Sequence, residues 1–241
     1  MAVYAVSDIH GVYKIWNQIK HFLKEDDTLY VLGDCGDRGP RGWDIIKEVI
    51  SDSRCLYIKG NHEDMLVKAM EEYLAEQYSG LAYQHLINNG GAQTIQDWDA
   101  IQNTEFQWKW KQYLKTLPEI MLYENKQGQK VHLCHAGYSP REDELNPFMG
   151  GKQNLLWDRD HYFEPWYGGE TYDNTIVVFG HTPAKYIAED LAMKFHPGEP
   201  LWIADRHKVC IDMGTAWTAY TCLLNLDTWE HKIFSTDKED I

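Results

Sequence analysis

The chain has 241 residues, 44% of them hydrophobic and 13% aromatic, which supplies a packed core and speaks against a disordered chain. Its formal net charge of −14, from 37 acidic and 23 basic side chains, argues against a nucleic-acid groove, which needs clustered Lys and Arg to displace counterions. No run approaches the roughly 18 apolar residues of a membrane span, and "MAVYAVSDIHG" lacks the basic leader of a secretory signal, so a cytoplasmic protein with neither membrane nor nucleic acid as partner is expected.

In chain order, "AVYAV" is a short apolar strand, after which Val12, Ile15, Trp16, Ile19 and Leu23 recur at helical spacing. "TLYVL" predicts a second strand, Trp43, Ile46, Val49 and Ile50 a second helix, and "RCLYIK" a third strand. That is βαβαβ, with parallel strands and right-handed crossovers. A third helix is expected from about 63 to 78, with Met65, Leu66, Ala69, Met70 and Tyr73 on one face. From roughly 80 to 128 the pattern is less regular, and helical pieces there would cap or flank the sheet. "KVHLC", "TIVVF", "KVCIDM", "YTCLLNL" and "HKIFS" then return the chain to strands. The expected architecture is α/β, two mixed β-sheets packed face to face and flanked by helices, as one domain over 1–241.

The five cysteines (Cys35, Cys55, Cys134, Cys210 and Cys222) are widely spaced and form no C-x-x-C pair, so neither a disulfide framework nor a zinc knuckle is indicated. Four read as small buried hydrophobes. Cys35, between two aspartates, is the one placed to feel redox chemistry.

The polar residues at the strand ends are the most informative feature. "AVYAV" runs into Ser7-Asp8-Ile9-His10-Gly11, "TLYVLG" into Asp34-Cys35-Gly36-Asp37-Arg38-Gly39, and "LYIKG" into Asn61-His62-Glu63-Asp64. "KVHLC" runs into His135-Ala136-Gly137 and "TIVVFG" into His181-Thr182-Pro183. Ligands in open α/β sheets collect at the carboxyl ends of strands, so five ends would bring Asp8, His10, Asp34, Asn61, His62, His135 and His181 together. These are nitrogen and oxygen donors without thiolate, a set that suits manganese, iron, zinc, nickel or cobalt. So many donors exceed one tetrahedral site and point to two divalent ions with a carboxylate between them. Taken singly the motifs have plainer readings: a charged turn with Arg38 paired to Asp37 on the surface, a helix cap at Asn61, or buried histidines before turns. Five of them in order, each after a strand, do not arise by coincidence.

"SDIHG", "GDCGDRG", "GNHED", "CHAG" and "GHTP" together resemble the signature series of the calcineurin-like metallophosphoesterases. "GDxxDRG" with "GNHE" resembles the phosphoprotein phosphatase branch, and "LINNGG", "LLWDRD" and "CIDMGTA" resemble its small bacterial and bacteriophage members. The resemblance implies the αββα metallophosphoesterase sandwich and roles for each residue. Asp8 and His10 would hold one ion, Asp34 would bridge both, and Asn61, His135 and His181 would hold the second, manganese being the favoured metal. His62 would be the general acid, oriented by Asp37. Arg38 and Arg159, with Asn61, would bind the phosphoryl oxygens.

The physics agrees with that division. Two cations screen a phosphomonoester dianion and generate a metal-bound hydroxide near neutral pH, and arginine matches two phosphate oxygens as lysine does not. Protonation of a serine alkoxide would contribute ~10²–10⁴-fold. Two departures stand out: Gly137 and Tyr138 follow "HA", and an insertion over 184–208 separates "GHTP" from "CIDMG". The insertion would either shape a rim of the site or be a surface elaboration. The resemblance implies a serine/threonine protein phosphatase, with phosphotyrosine as a further substrate, acting on phosphorylated proteins or peptides. A symmetrical diadenosine tetraphosphate hydrolase is the alternative, Glu63 in "GNHE" weighing toward the phosphatase, and a metal-stabilised scaffold is the third reading.

Overall fold

The computed structural model describes residues 1–77, 80–138, 155–163 and 174–241. The first half builds β1 (Val3–Val6), α1 (Tyr13–Phe22), β2 (Thr28–Val31), α2 (Gly42–Ser51), β3 (Cys55–Tyr57) and α3 (Asn61–Leu74). Then follow α4 (Leu81–Asn88), α5 (Ala92–Asp99), α6 (Thr104–Lys115), β4 (Ile120–Glu124), β5 (Lys130–Cys134), β6 (Thr175–Phe179) and α7 (Ala184–Asp190). The described chain closes with β7 (Leu201–Ile203), β8 (Lys208–Cys210), α8 (Thr215–Thr218), β9 (Tyr220–Asn225) and β10 (His231–Ser235).

Two five-stranded mixed sheets result, ordered β10-β9-β1-β2-β3 and β4-β5-β6-β8-β7. β1, β2 and β3 pair in parallel, as do β5, β6 and β8, while β9, β10, β4 and β7 pair antiparallel with their neighbours. The two-residue period of a strand separates three cores. Tyr4, Val6, Leu29 and Val31 face α1 to α6, where Trp16, Trp43 and Trp98 are buried. Val3, Ala5, Tyr30 and Leu32 face the other sheet and meet Val131, Leu133, Ile176, Val178, Val209 and Ile211. Val177, Phe179 and Cys210 point to the far side, under Ala184, Ile187 and Ala188 of α7. Helices, sheet, sheet and helix form the expected four layers.

The differences are local. α3 begins at Asn61 rather than 63, because Glu63 reaches back to accept the Gly60 N–H at 2.9 Å and so satisfies a donor at the helix start. Its end is Leu74, and Tyr78 lies outside the described residues. β4 and β7 went unforeseen: Leu122 on β4 is exposed, so the strand lacks alternation, and β7 has three residues. The insertion over 184–208 supplies α7 and β7, and Ala184, Ile187, Ala188, Leu201 and Ile203 are buried. It is a layer of the core, not a surface elaboration.

The ends of β2 and β3 touch through main chain. Gly33 has φ 87°, and a Cβ there would stand 2.5 Å from the Gly60 Cα. Gly33→Ala is expected to lower the unfolding free energy in a urea titration by about 3 kcal/mol or more, from strain plus backbone clash. Gly128→Ala, also left-handed at φ 75° but with nothing within 4 Å of its Cβ position, should cost only about 1–2 kcal/mol.

Candidate metal centre

The loops leaving the strands are zipped together by backbone. Asp8 N donates to Gly33 O at 3.3 Å, His10 N to Asp34 O at 3.0 Å and Gly11 N to Cys35 O at 2.9 Å. In the second sheet Gly180 N donates to His135 O at 2.8 Å. Asp8, His10, Asp34, Asp37, Arg38 and His181 all have positive φ, between 47° and 67°, a conformation costing roughly 1–3 kcal/mol per non-glycine residue. These kinks turn side chains at the strand ends inward, and Asp8, His10, Asp34, Asn61, His62, His135 and His181 are all buried.

Asp34 stands in two donor clusters, one with His10 and His62 and one with His135 and His181, whose ligand atoms lie within 4.8 Å of one another. His10 Nε2 is 3.6 Å from Asp34 Oδ2 and 3.7 Å from Asp8 Oδ1. His135 Nε2 is 3.5 Å from Asp34 Oδ1. Asn61 Oδ1 lies 2.8 Å from His135 Nε2 and 2.9 Å from His181 Nδ1. The carboxylates are themselves held: Asp34 Oδ1 accepts the His62 N–H at 3.0 Å, and Asp8 Oδ2 accepts the His181 N–H at 3.0 Å together with the Ser7 hydroxyl.

Outer partners fix the imidazoles. His10 Nδ1 donates to Gly36 O at 3.0 Å and His135 Nδ1 to Leu32 O at 2.7 Å, which aims each Nε2 lone pair inward. The His135 lone pair therefore faces the Asn61 carbonyl oxygen, acceptor against acceptor, and His181 Nε2 is buried without a hydrogen-bond partner. Burial, with His62 and Arg38 nearby, pushes the His10 pKa well down; burial, His135 and Arg159 do the same to His181. Burial pushes the Asp34 carboxyl well above its ordinary range, against the pull of His62 and with repulsion from Asp8 and Glu63. Neutral imidazoles, surplus lone pairs and a buried carboxylate fit divalent cations.

His62 differs from the other histidines. Its Nδ1 donates to Asp37 Oδ2 at 2.6 Å, and its Nε2 lies 3.8 Å from Asp34 Oδ2. Burial opposes a charge there, but Asp34 and Asp37 outweigh it and raise the imidazole's pKa. The "LINNGG" segment and the start of α5 support this corner, since Arg38 N donates to Gly90 O at 2.8 Å and Asp37 N to Thr94 Oγ1 at 3.0 Å. Arg38 is exposed; its guanidinium donates to His10 Nε2 and stands 3.1 Å from His62 Nε2, so it is not a surface partner of Asp37. Arg159, also exposed, donates to Thr182 Oγ1 at 3.1 Å, next to His181. The two arginines thus stand beside different clusters. Gly137 packs against a buried ring: a Cβ there would be 2.2 Å from His161 Nδ1.

Three residues have structural roles that the sequence reading did not assign. Glu63 is buried, and its carboxylate accepts from Asp34 N at 2.8 Å, Cys35 N at 3.1 Å, Gly60 N at 2.9 Å and Tyr57 OH at 2.7 Å. Asp212, from "CIDMG", is buried, and burial and then Asp8 push its carboxyl well up. Trp217 lies under the Arg38 guanidinium. Of these, Asp212 and Glu63 carried a signal, each lying just after an apolar strand, and Trp217 carried none. Cys35 is fully buried, and burial followed by Glu63 pushes its thiol well up; it packs in the core and presents no thiolate for redox chemistry.

Glu63→Ala leaves three buried N–H groups and a tyrosine hydroxyl unpaired and is expected to cost about 3–4 kcal/mol in urea unfolding. Asp37→Asn removes a charge that favours the His62 imidazolium, so the imidazole should titrate at lower pH than in the parent, read by NMR.

The calcineurin-like phosphoesterase family profile matches residues 1–209. A Nitrosococcus oceani protein named bis(5'-nucleosyl)-tetraphosphatase, symmetrical, is 29% identical over 59% of this chain and 46% of its own. An Anoxybacillus flavithermus protein named bis(5'-nucleosyl)-tetraphosphatase PrpE, asymmetrical, is 24% identical over 87% of this chain and 84% of its own. Serine/threonine-protein phosphatase 2 of Escherichia coli is 35% identical over 29% of this chain and 33% of its own. The chain therefore spans less than half of the first of these proteins and a third of the last. A solved metallophosphoesterase from Sphaerobacter thermophilus shares the fold, with a TM-score of 0.55 at 15% identity over 98% of this chain and 89% of its own. Among the described residues no helix is long and apolar enough to cross a membrane. The chain belongs to the calcineurin-like phosphoesterase family.

Proposed function

We propose that the protein is a metal-dependent phosphoesterase that hydrolyses a dinucleotide polyphosphate of the diadenosine tetraphosphate type. One observation carries the chemistry: Asp34 belongs to two buried donor clusters, with an exposed arginine beside each. The substrate is supported by the names of the two tetraphosphatase relatives, one of which aligns along most of both chains. The weight first placed on Glu63 does not survive, because its carboxylate is buried among main-chain donors and touches no substrate surface. A phosphoprotein phosphatase remains the second reading, favoured by the "GDCGDRG" to "GNHED" series and the short match to the E. coli phosphatase.

Asp8 and His10 would hold one divalent ion, Asn61, His135 and His181 a second, and Asp34 both; manganese is the favoured metal. The ions would supply charge neutralisation at phosphorus and activation of water. Arg38 and Arg159 bind phosphoryl oxygens through their planar forks, and the neutral Asn61 amide lies between His135 and His181 without adding charge. His62 Nε2 gives its proton to the departing oxygen, and Asp37 holds the ring by Nδ1 and keeps it protonated to higher pH. No covalent enzyme intermediate is needed, and the whole arrangement falls within one catalytic domain over 1–241.

The leaving group tests both halves of the proposal. A serine alkoxide needs a proton, whereas a nucleoside diphosphate leaves as a stable anion. His62→Asn should therefore lose ~10²–10⁴-fold on a phosphoserine peptide but far less on diadenosine tetraphosphate, and should keep its metals by elemental analysis. In the parent, kcat/KM on manganese-loaded protein should favour diadenosine tetraphosphate over phosphoserine and phosphotyrosine peptides. The reverse preference would install the phosphatase reading, and no turnover of any of them with metals bound would leave a scaffold.

A further inference from the structure

The wall beside Arg38 carries one side chain that the chemistry above does not use. Trp217 lies on α8, a single turn bounded by the left-handed residues Gly214 (φ 68°) and Ala219 (φ 61°). Its backbone N–H donates to Gly214 O at 2.9 Å, and a Cβ on Gly214 would lie 3.3 Å from the indole Cε3, so the turn touches the ring at that carbon. The Arg38 guanidinium carbon lies 4.6 Å from the ring centroid, and the side chain is 53% exposed.

A single exposed apolar side chain ordinarily needs no explanation. This one is different in position, because it touches the arginine that reaches both His10 and His62. Guanidinium over indole is a favourable cation–π pairing, and it steadies Arg38 at the edge of the donor clusters. The part of the indole that Arg38 leaves uncovered is open to solvent immediately beside the group assigned to phosphate. A phosphopeptide offers that surface varied side chains on a flexible backbone. A nucleotide offers a flat base tied covalently to its phosphates, and every base has a π face.

We infer that Trp217 is a stacking platform for the base of a nucleoside polyphosphate whose phosphates lie at Arg38. The inference rests on the reading of the site as a dinucleotide polyphosphate hydrolase and names the part of the substrate recognised outside the phosphates. It assigns Trp217 to binding and orientation, not to the reacting atoms.

The test compares ligands with and without a base. Calorimetric titration of the manganese-loaded protein with ADP and with inorganic pyrophosphate, at fixed free manganese, gives a ratio of affinities. Disturbance of Arg38 or of the metals acts on both ligands and largely cancels in that ratio. The parent should prefer ADP about ten-fold or more. Trp217→Phe should keep most of that preference and Trp217→Leu, apolar but without a π face, should bring the ratio close to one. No preference in the parent, or an unchanged preference in the leucine variant, overturns the platform. Hydrolysis of diadenosine tetraphosphate by the parent is scored separately. A base preference that depends on Trp217 without such hydrolysis would keep the platform and overturn the dinucleotide-hydrolase reading.

Discussion

The site depends on one buried carboxylate that never faces a substrate. Glu63 gathers the amides of Asp34, Cys35 and Gly60 and the hydroxyl of Tyr57. In doing so it ties the loop after β2 to the start of α3 and to the end of β3. Asp34 sits at φ 54°, and the turn it makes exposes N–H donors that neither sheet nor helix satisfies. Buried donors without partners cost about 1–3 kcal/mol each, so the charged acceptor and the kinked backbone stabilise one another. Asp34 then accepts the His62 amide, and the position of the shared carboxylate follows from the same contact.

The same logic extends around the centre. Left-handed backbone at Asp8, His10, Asp37, Arg38 and His181 is unfavourable residue by residue, yet each kink is locked by bonds between neighbouring loops. Local strain concentrated where buried polar side chains converge is typical of functional sites. The electrostatics run the same way. Burial drives His10 and His181 toward the neutral form and Asp34 toward protonation, and divalent cations relieve both tendencies together. His62 escapes because Asp34 and Asp37 outweigh its burial, which suits it to the proton-donor role proposed for it rather than to a ligand's.

The division between substrates rests on what surrounds the phosphates. Arg38 and Arg159, as proposed phosphate binders, would serve a phosphopeptide and a polyphosphate alike, and Glu63 is sealed beneath the site. The insertion over 184–208 closes the outer face of the second sheet through Ile187, Leu201 and Ile203, so its first role is structural. What distinguishes one mouth of the site is the open indole of Trp217 beside Arg38.

Much was determined by the sequence alone. The apolar runs "TLYVL" and "TIVVF", the helical spacing of Ile15, Trp16 and Ile19, and polar residues after each strand are local patterns, and they gave the layers and assembled Asp8, His10, Asp34, Asn61, His62, His135 and His181. β4 and β7 were not legible, because an edge strand buries one face at most and Leu122 is left in solvent. Only the tertiary structure decided which way the acids point. Asp37 and Arg38 are neighbours in "GDCGDRG" but turn apart, one to His62 and the other over Trp217, because left-handed backbone at both redirects their side chains. Glu63 turned inward and Trp217 came beside Arg38 from nearly 180 residues away. Such pairings are set by loop closure and packing between layers, and no short stretch of sequence encodes them.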